Sequence, residues 1–95
     1  MPALAPEVRV WAAYAMVKLG RPDLGLQTLI EQLENPEQGA RLQAVTALDQ
    51  LGMAAAPVVP ELEEAVDDEF DYVQRIARHA LWALQQRPCP YKDCP

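Results

Sequence analysis

Few side chains in this 95-residue chain are equipped for chemistry, and their spacing does not assemble a reactive site. The single histidine is His79. A general base needs an oriented partner and a pocket. No aspartate or glutamate stands three or four residues from His79, so it reads as an exposed surface histidine. The two cysteines, Cys89 and Cys94, form a C-x4-C pair in CPYKDCP. A structural zinc needs four ligands, and His79 adds at most a third, which disfavours metal. The pair stays open between a tail disulfide and two free thiols. Serine is absent, Thr28 and Thr46 are the only threonines, and four isolated glycines make no phosphate loop. No catalytic residue, metal ligand or cofactor is therefore expected.

The acids cluster. Glu61, Glu63, Glu64, Asp67, Asp68, Glu69 and Asp71 fall within eleven residues. They lack the D-x-D-x-D-G spacing of a calcium loop and read as a solvated helix face with capping acids. The net charge is −6, and the eight basic residues are scattered. That balance argues against nucleic acid, which is bound by displacing counterions with lysine and arginine. It also argues against an anionic membrane surface. No apolar run approaches the ~20 residues of a membrane span. The run from Val10 to Val17 has the length of a signal core. However, Pro2, Pro6 and Glu7 precede it, and no convincing cleavage site follows. A cytoplasmic location is expected if the chain is complete, and none is assigned if it is part of an exported protein.

The elements that must carry these residues repeat. VRVWAAYAMVKLG from Val8 returns as ARLQAVTALDQLG from Ala40 and as VQRIARHALWAL from Val73, at offsets of 32 and 33 residues. Ala12, Ala44 and Ala77 fall in phase, as do Ala15, Ala47 and Ala80, and Leu19, Leu51 and Leu84. With an apolar content of 51%, the chain is no disordered polymer.

Five helices are predicted, at roughly residues 6–19, 23–34, 36–51, 57–66 and 72–86. Gly20 and Gly52 are placed as C-caps. Asn35 with Gln38, and Asp71 with Gln74, stand at capping-box spacing. Gly25 is expected to weaken the second helix by up to ~1 kcal/mol. The intervening helices also match, Val59, Leu62 and Val66 answering Leu26, Leu29 and Leu33. With the repeating helices labelled B and the others A, the order is B-A-B-A-B. This predicts an all-α fold, an α-solenoid of about two and a half antiparallel hairpins. It would occupy residues 1–87, with a proline- and cysteine-containing tail at 88–95.

The two ends differ. The last helix has a polar side, including Gln74, Arg75, Arg78 and Gln85. The first is apolar nearly all round, with only Glu7, Arg9 and Lys18 polar, so burial on every side is expected of it. With only five residues before it, its A partner is missing, and this end is expected to be open. A preceding domain, further repeats or a second copy of the chain would cover it. Along the B helices, the repeat puts Tyr14, Thr46 and His79 at one level, and Val17, Asp49 and Trp82 at the next. Trp11, Tyr14, Val17, Asp49, His79 and Trp82 are thus the candidate partner-binding residues. The expected partner is a protein, or the chain itself through its first helix.

The B segments resemble HEAT and HEAT-like repeats, whose B helix follows a V-R-x-x-A-A-x-A-L-x-x-L-G pattern. Val8-Arg9, Ala12-Ala13, Ala15 and Leu19-Gly20 match it, as do Arg41, Ala44, Ala47-Leu48 and Leu51-Gly52. The third copy departs, with Gln74 in the arginine's place and no glycine after Leu84. The resemblance implies a non-enzymatic interaction or scaffolding module. It also implies a ladder between an aspartate before one B helix and an arginine across repeats. Asn35 and Asp68 hold the aspartate's place here. The stretch from Asn35 to Gln86 resembles the C-terminal helical segment of certain bacterial sulfatases, which implies an accessory role beside a catalytic domain. The sulfatase C/S-x-P-x-R signature is absent, so no catalytic residue carries over.

Overall fold

The computed structural model describes residues 5–85. Helices α1 (Pro6–Lys18), α2 (Pro22–Leu33), α3 (Gln38–Leu51), α4 (Val59–Ala65) and α5 (Asp71–Gln85) are joined by short turns and one 3-10 segment, Gly52–Val58. No strand occurs among the described residues. The fold is all-α, as expected. Cys89, Cys94 and the expected tail lie outside the described residues.

α1 starts at a proline, whose missing N–H has no intrahelical partner at that position. It ends in a two-bond left-handed cap. The Arg21 N–H donates to the Met16 carbonyl at 2.8 Å and the Gly20 N–H to the Val17 carbonyl at 3.1 Å. Gly20 sits at φ 91°, where a side chain would be strained.

Gly25 has a role that helix propensity does not report. A Cβ built there would lie 2.5 Å from the Ala13 carbonyl oxygen and 2.6 Å from Val17 Cγ2. Glycine lets the α2 backbone press directly onto α1. The loss of helix propensity is offset by that close approach.

α1, α3 and α5 form one row, each packed on the next. α2 lies against both α1 and α3, and α4 lies against α5. The core runs between the layers. Leu29, Leu48, Leu62 and Leu81 are its largest fully buried side chains. Burying each contributes about 1.5–3 kcal/mol relative to exposure.

After α3 the chain differs from expectation. Gly52, at φ 59°, ends the helix, and a 3-10 segment occupies both the expected loop and the start of the expected fourth helix. Pro57 lies inside that segment and Pro60 in the first turn of α4. Neither has an N–H to donate, and a proline ring inside an α-helix clashes with the carbonyl four residues earlier. The tighter 3-10 path keeps Ala55 and Val58 in the core. By length and mean hydropathy, Gln38–Ala65 could cross a membrane. It is instead broken at Gly52, and its large apolar side chains other than the exposed Met53 pack in or against the core.

The two interior turns are built alike, and neither is the capping box that the sequence suggests. The Glu37 N–H donates to Asn35 Oδ1, and the Phe70 N–H donates to Asp68 Oδ1, both at 2.9 Å. These side-chain turns stand 33 residues apart. A short polar side chain bonding the backbone two residues on is a common way to start such a turn. Capping is thereby moved upstream of α3 and α5, and Gln74 turns back to donate to the Asp68 carbonyl.

Candidate interaction surfaces

Arg41 ties the second and third repeats together. Its Nε donates to Asp68 Oδ2 at 2.9 Å and its Nη2 to Asp68 Oδ1 at 3.3 Å, a two-pronged pair. Its Nη1 donates to the carbonyls of Asn35 and Pro36 at 2.9 and 3.0 Å. One rung of the expected ladder is therefore formed. Gln74, at the equivalent place in α5, keeps the bond to the preceding turn and has no charge to offer a further repeat. Asn35, equivalent to Asp68, is neutral, and Arg9 of α1 is exposed. The sequence places these residues correctly, but only the structure shows that a single rung closes.

The expected B-helix row is partly assembled. Trp11 Nε1 donates to Gln43 Oε1 at 3.0 Å, joining α1 to α3. Trp11 and Tyr14 meet edge to face with centroids 5.4 Å apart. Lys18 Nζ stands 5.6 Å from the Tyr14 ring centre, within cation–π range.

On α5, His79 is not the isolated histidine that its own helix suggests. Its Nδ1 lies 2.8 Å from Asp49 Oδ1 on α3, and its ring stands 5.6 Å from that of Trp82. An ionised carboxylate only accepts, so the imidazole Nδ1–H donates. The partner comes from 30 residues away, across the helix row, where spacing along one helix cannot reveal it. An Asp–His pair is the orienting half of a nucleophilic triad. The hydroxyl at the same level, Thr46 Oγ1, donates instead to the Leu42 carbonyl at 2.7 Å.

Val17 does not belong to this row. It is only 7% exposed and packs at the Gly25 contact. Val10, Ala13 and Val17 form the face of α1 that α2 and α3 cover. The first helix is apolar on two sides, and the sequence does not say which side turns inward.

The other apolar side is the second candidate surface. On α3, Ala40, Ala44, Ala47, Leu48 and Leu51 are buried. On α5, the matching Val73, Ala77, Ala80 and Leu81 are buried too. On α1 the same places hold Val8, Ala12, Ala15, Met16 and Leu19. Val8 is 51% and Leu19 82% exposed, Ala12 and Ala15 are exposed, and Met16 is half-buried. α3 has helices on both sides of it in the row, whereas α1 is packed chiefly by α2 and α3. The rear face of α1 thus has the composition of an interior surface and lies open among the described residues.

A sequence model of HEAT repeats matches residues 3–82. No curated protein matches the chain, and no solved structure does. The likeness to a sulfatase segment thus finds no support in these comparisons, whereas the helical repeat does. Three B segments in phase, two A helices between them, the Arg41–Asp68 rung and this match agree: the chain belongs to the HEAT-repeat family.

Proposed function

We propose that the chain is a protein–protein interaction or scaffolding module with no catalytic residues of its own, and that the rear face of α1 is its principal contact surface. HEAT repeats work by presenting helical surfaces to other proteins. One observation carries the choice of face: the five positions that are buried in α3 are open or half-open in α1. Full burial is worth about 1.5–3 kcal/mol per Val or Leu side chain, and a docked helix would recover most of that at Leu19 and about half at Val8. The row of Trp11, Tyr14, Asp49, His79 and Trp82 is the secondary surface. In it Asp49 and His79 bond each other, and Trp11 bonds Gln43 on α3.

A photo-crosslinking amino acid at Leu19, and one at exposed Glu63 as a control, test this reading in cells that produce the chain. Discrete protein adducts from position 19, absent from position 63, are expected. Equal or no adducts from position 19 would overturn it.

A further inference from the structure

We infer that a cleft between α2 and α4 receives an arginine side chain of a protein partner, at a place separate from the rear face of α1. The origin of the cleft is in the sequence. The prolines that divert the chain into the 3-10 segment delay α4 and leave it seven residues long. α2 has twelve, and the two A helices barely touch. Between them lies a cleft of about 90 Å³, room for the head of one long side chain and too little for a helix. Ile30, Leu33 and Ala65 are its apolar walls, and Glu34, Glu61, Glu64 and Asp68 bring carboxylates to it. Glu63 does not line it.

Three observations point to a cation. The charged lining is wholly acidic, and among the described residues no basic side chain pairs with Glu34, Glu61 or Glu64. Glu61 Oε2 is shut off from solvent and has no hydrogen-bond partner. A sheltered carboxylate oxygen is costly until a donor reaches it. Lastly, α2 and α4 both end at the cleft, and neither has a basic residue in its last turn to answer the negative end of the helix.

The fourth carboxylate shows what kind of cation fits. Asp68 is already forked by the guanidinium of Arg41, at one edge of the cleft. A metal ion fits worse, because no three acids among the described residues stand together as metal ligands do. A long side chain can lay its apolar stem on Ile30 and Leu33 while its head reaches the carboxylates. Arginine suits this better than lysine, since a guanidinium is weakly hydrated and forks across carboxylates. The net charge of −6 would draw such a basic segment toward the chain.

NMR titration of the isotope-labelled whole chain with N-acetyl-arginine methylamide tests the proposal. Amide shifts confined to the cleft residues are expected, with a Kd of about millimolar order for so small a probe. The Glu61→Gln, Glu64→Gln chain should bind at least about fivefold more weakly. The neutral isostere N-acetyl-citrulline methylamide should not bind. Glu61→Gln alone should melt no lower than the parent, because it removes a sheltered charge that has no donor. Shifts elsewhere or none, equal binding of the citrulline probe, or unweakened binding by the double variant would overturn the proposal. So would a lower melting temperature of Glu61→Gln, which would make that carboxylate structural. Calcium chloride that shifts the same amides more strongly would put a metal where arginine is expected and would overturn it too. The crosslinker at Leu19 reports on another surface, so the interaction-module reading stands or falls apart from this cleft.

Discussion

Ala12 and Ala44 hold the same place in successive repeats, yet Ala44 is fully buried and Ala12 faces solvent. The side chains are identical and both lie on helices, so the difference is in what surrounds them. α3 has α1 and α2 before it and α5 after it, whereas α1 is packed chiefly on its forward side. The same contrast holds for Ala15 and Ala47, and for Leu19 and Leu51. Among the described residues, an interior-type surface therefore lies open on α1, and it supports the proposed interaction module.

Leu51→Ala should destabilise the chain by about 2–5 kcal/mol, because it empties a core position. Leu19→Ala, 32 residues earlier, should change monomer stability by less than about 0.5 kcal/mol, as exposed replacements do. Urea unfolding at low protein concentration checks both.

Arg41→Ala should cost about 3–5 kcal/mol, since it leaves the largely buried Asp68 carboxylate without its charged partner and two turn carbonyls without the guanidinium. Arg41→Lys should recover only part of this, because an ammonium cannot fork across a carboxylate while also reaching the preceding turn. Chemical denaturation of the two variants makes the comparison. Equal stability of Arg41→Lys and the parent would show that charge alone matters.

The glycines should respond in opposite senses. Gly25→Ala places a methyl 2.5 Å from the Ala13 carbonyl and should cost about 1–3 kcal/mol despite better helix propensity. Gly39, in the first turn of α3, has nothing within 4 Å of its Cβ position, and Gly39→Ala should gain up to about 1 kcal/mol. Thermal unfolding of each variant reads the sign directly.

The Asp49–His79 contact joins half-exposed side chains and should be modest. A double-mutant cycle of Asp49→Ala and His79→Ala should give a coupling of about 0.2–1 kcal/mol. A value near zero would mean that the contact does not hold α3 to α5.

The repeat itself was legible, because alanines and leucines at fixed intervals can only serve helices stacked in register. Helix ends marked by Gly20 and Gly52 were legible for the same local reason. Three things were not. Val17 aligns with Asp49 and Trp82 in the repeat, and with both sides of α1 apolar only the Gly25 contact shows that it turns inward. The partner of His79 lies on a different helix, beyond any local spacing. The 3-10 path before α4 is set by Pro57 and Pro60 acting with the burial of Ala55 and Val58, a tertiary requirement.

The most direct measurement sets Ala15→Glu beside Ala47→Glu, comparing thermal unfolding with protein capture by a crosslinker at Leu19. Ala15→Glu should keep the parent's melting temperature and lose the adducts. Ala47→Glu should fail to fold, or melt far lower, because it forces a carboxylate into the core. If Ala15→Glu is as destabilised as Ala47→Glu, or is stable and is crosslinked as the parent is, the rear face of α1 is not an open contact surface and the account is wrong.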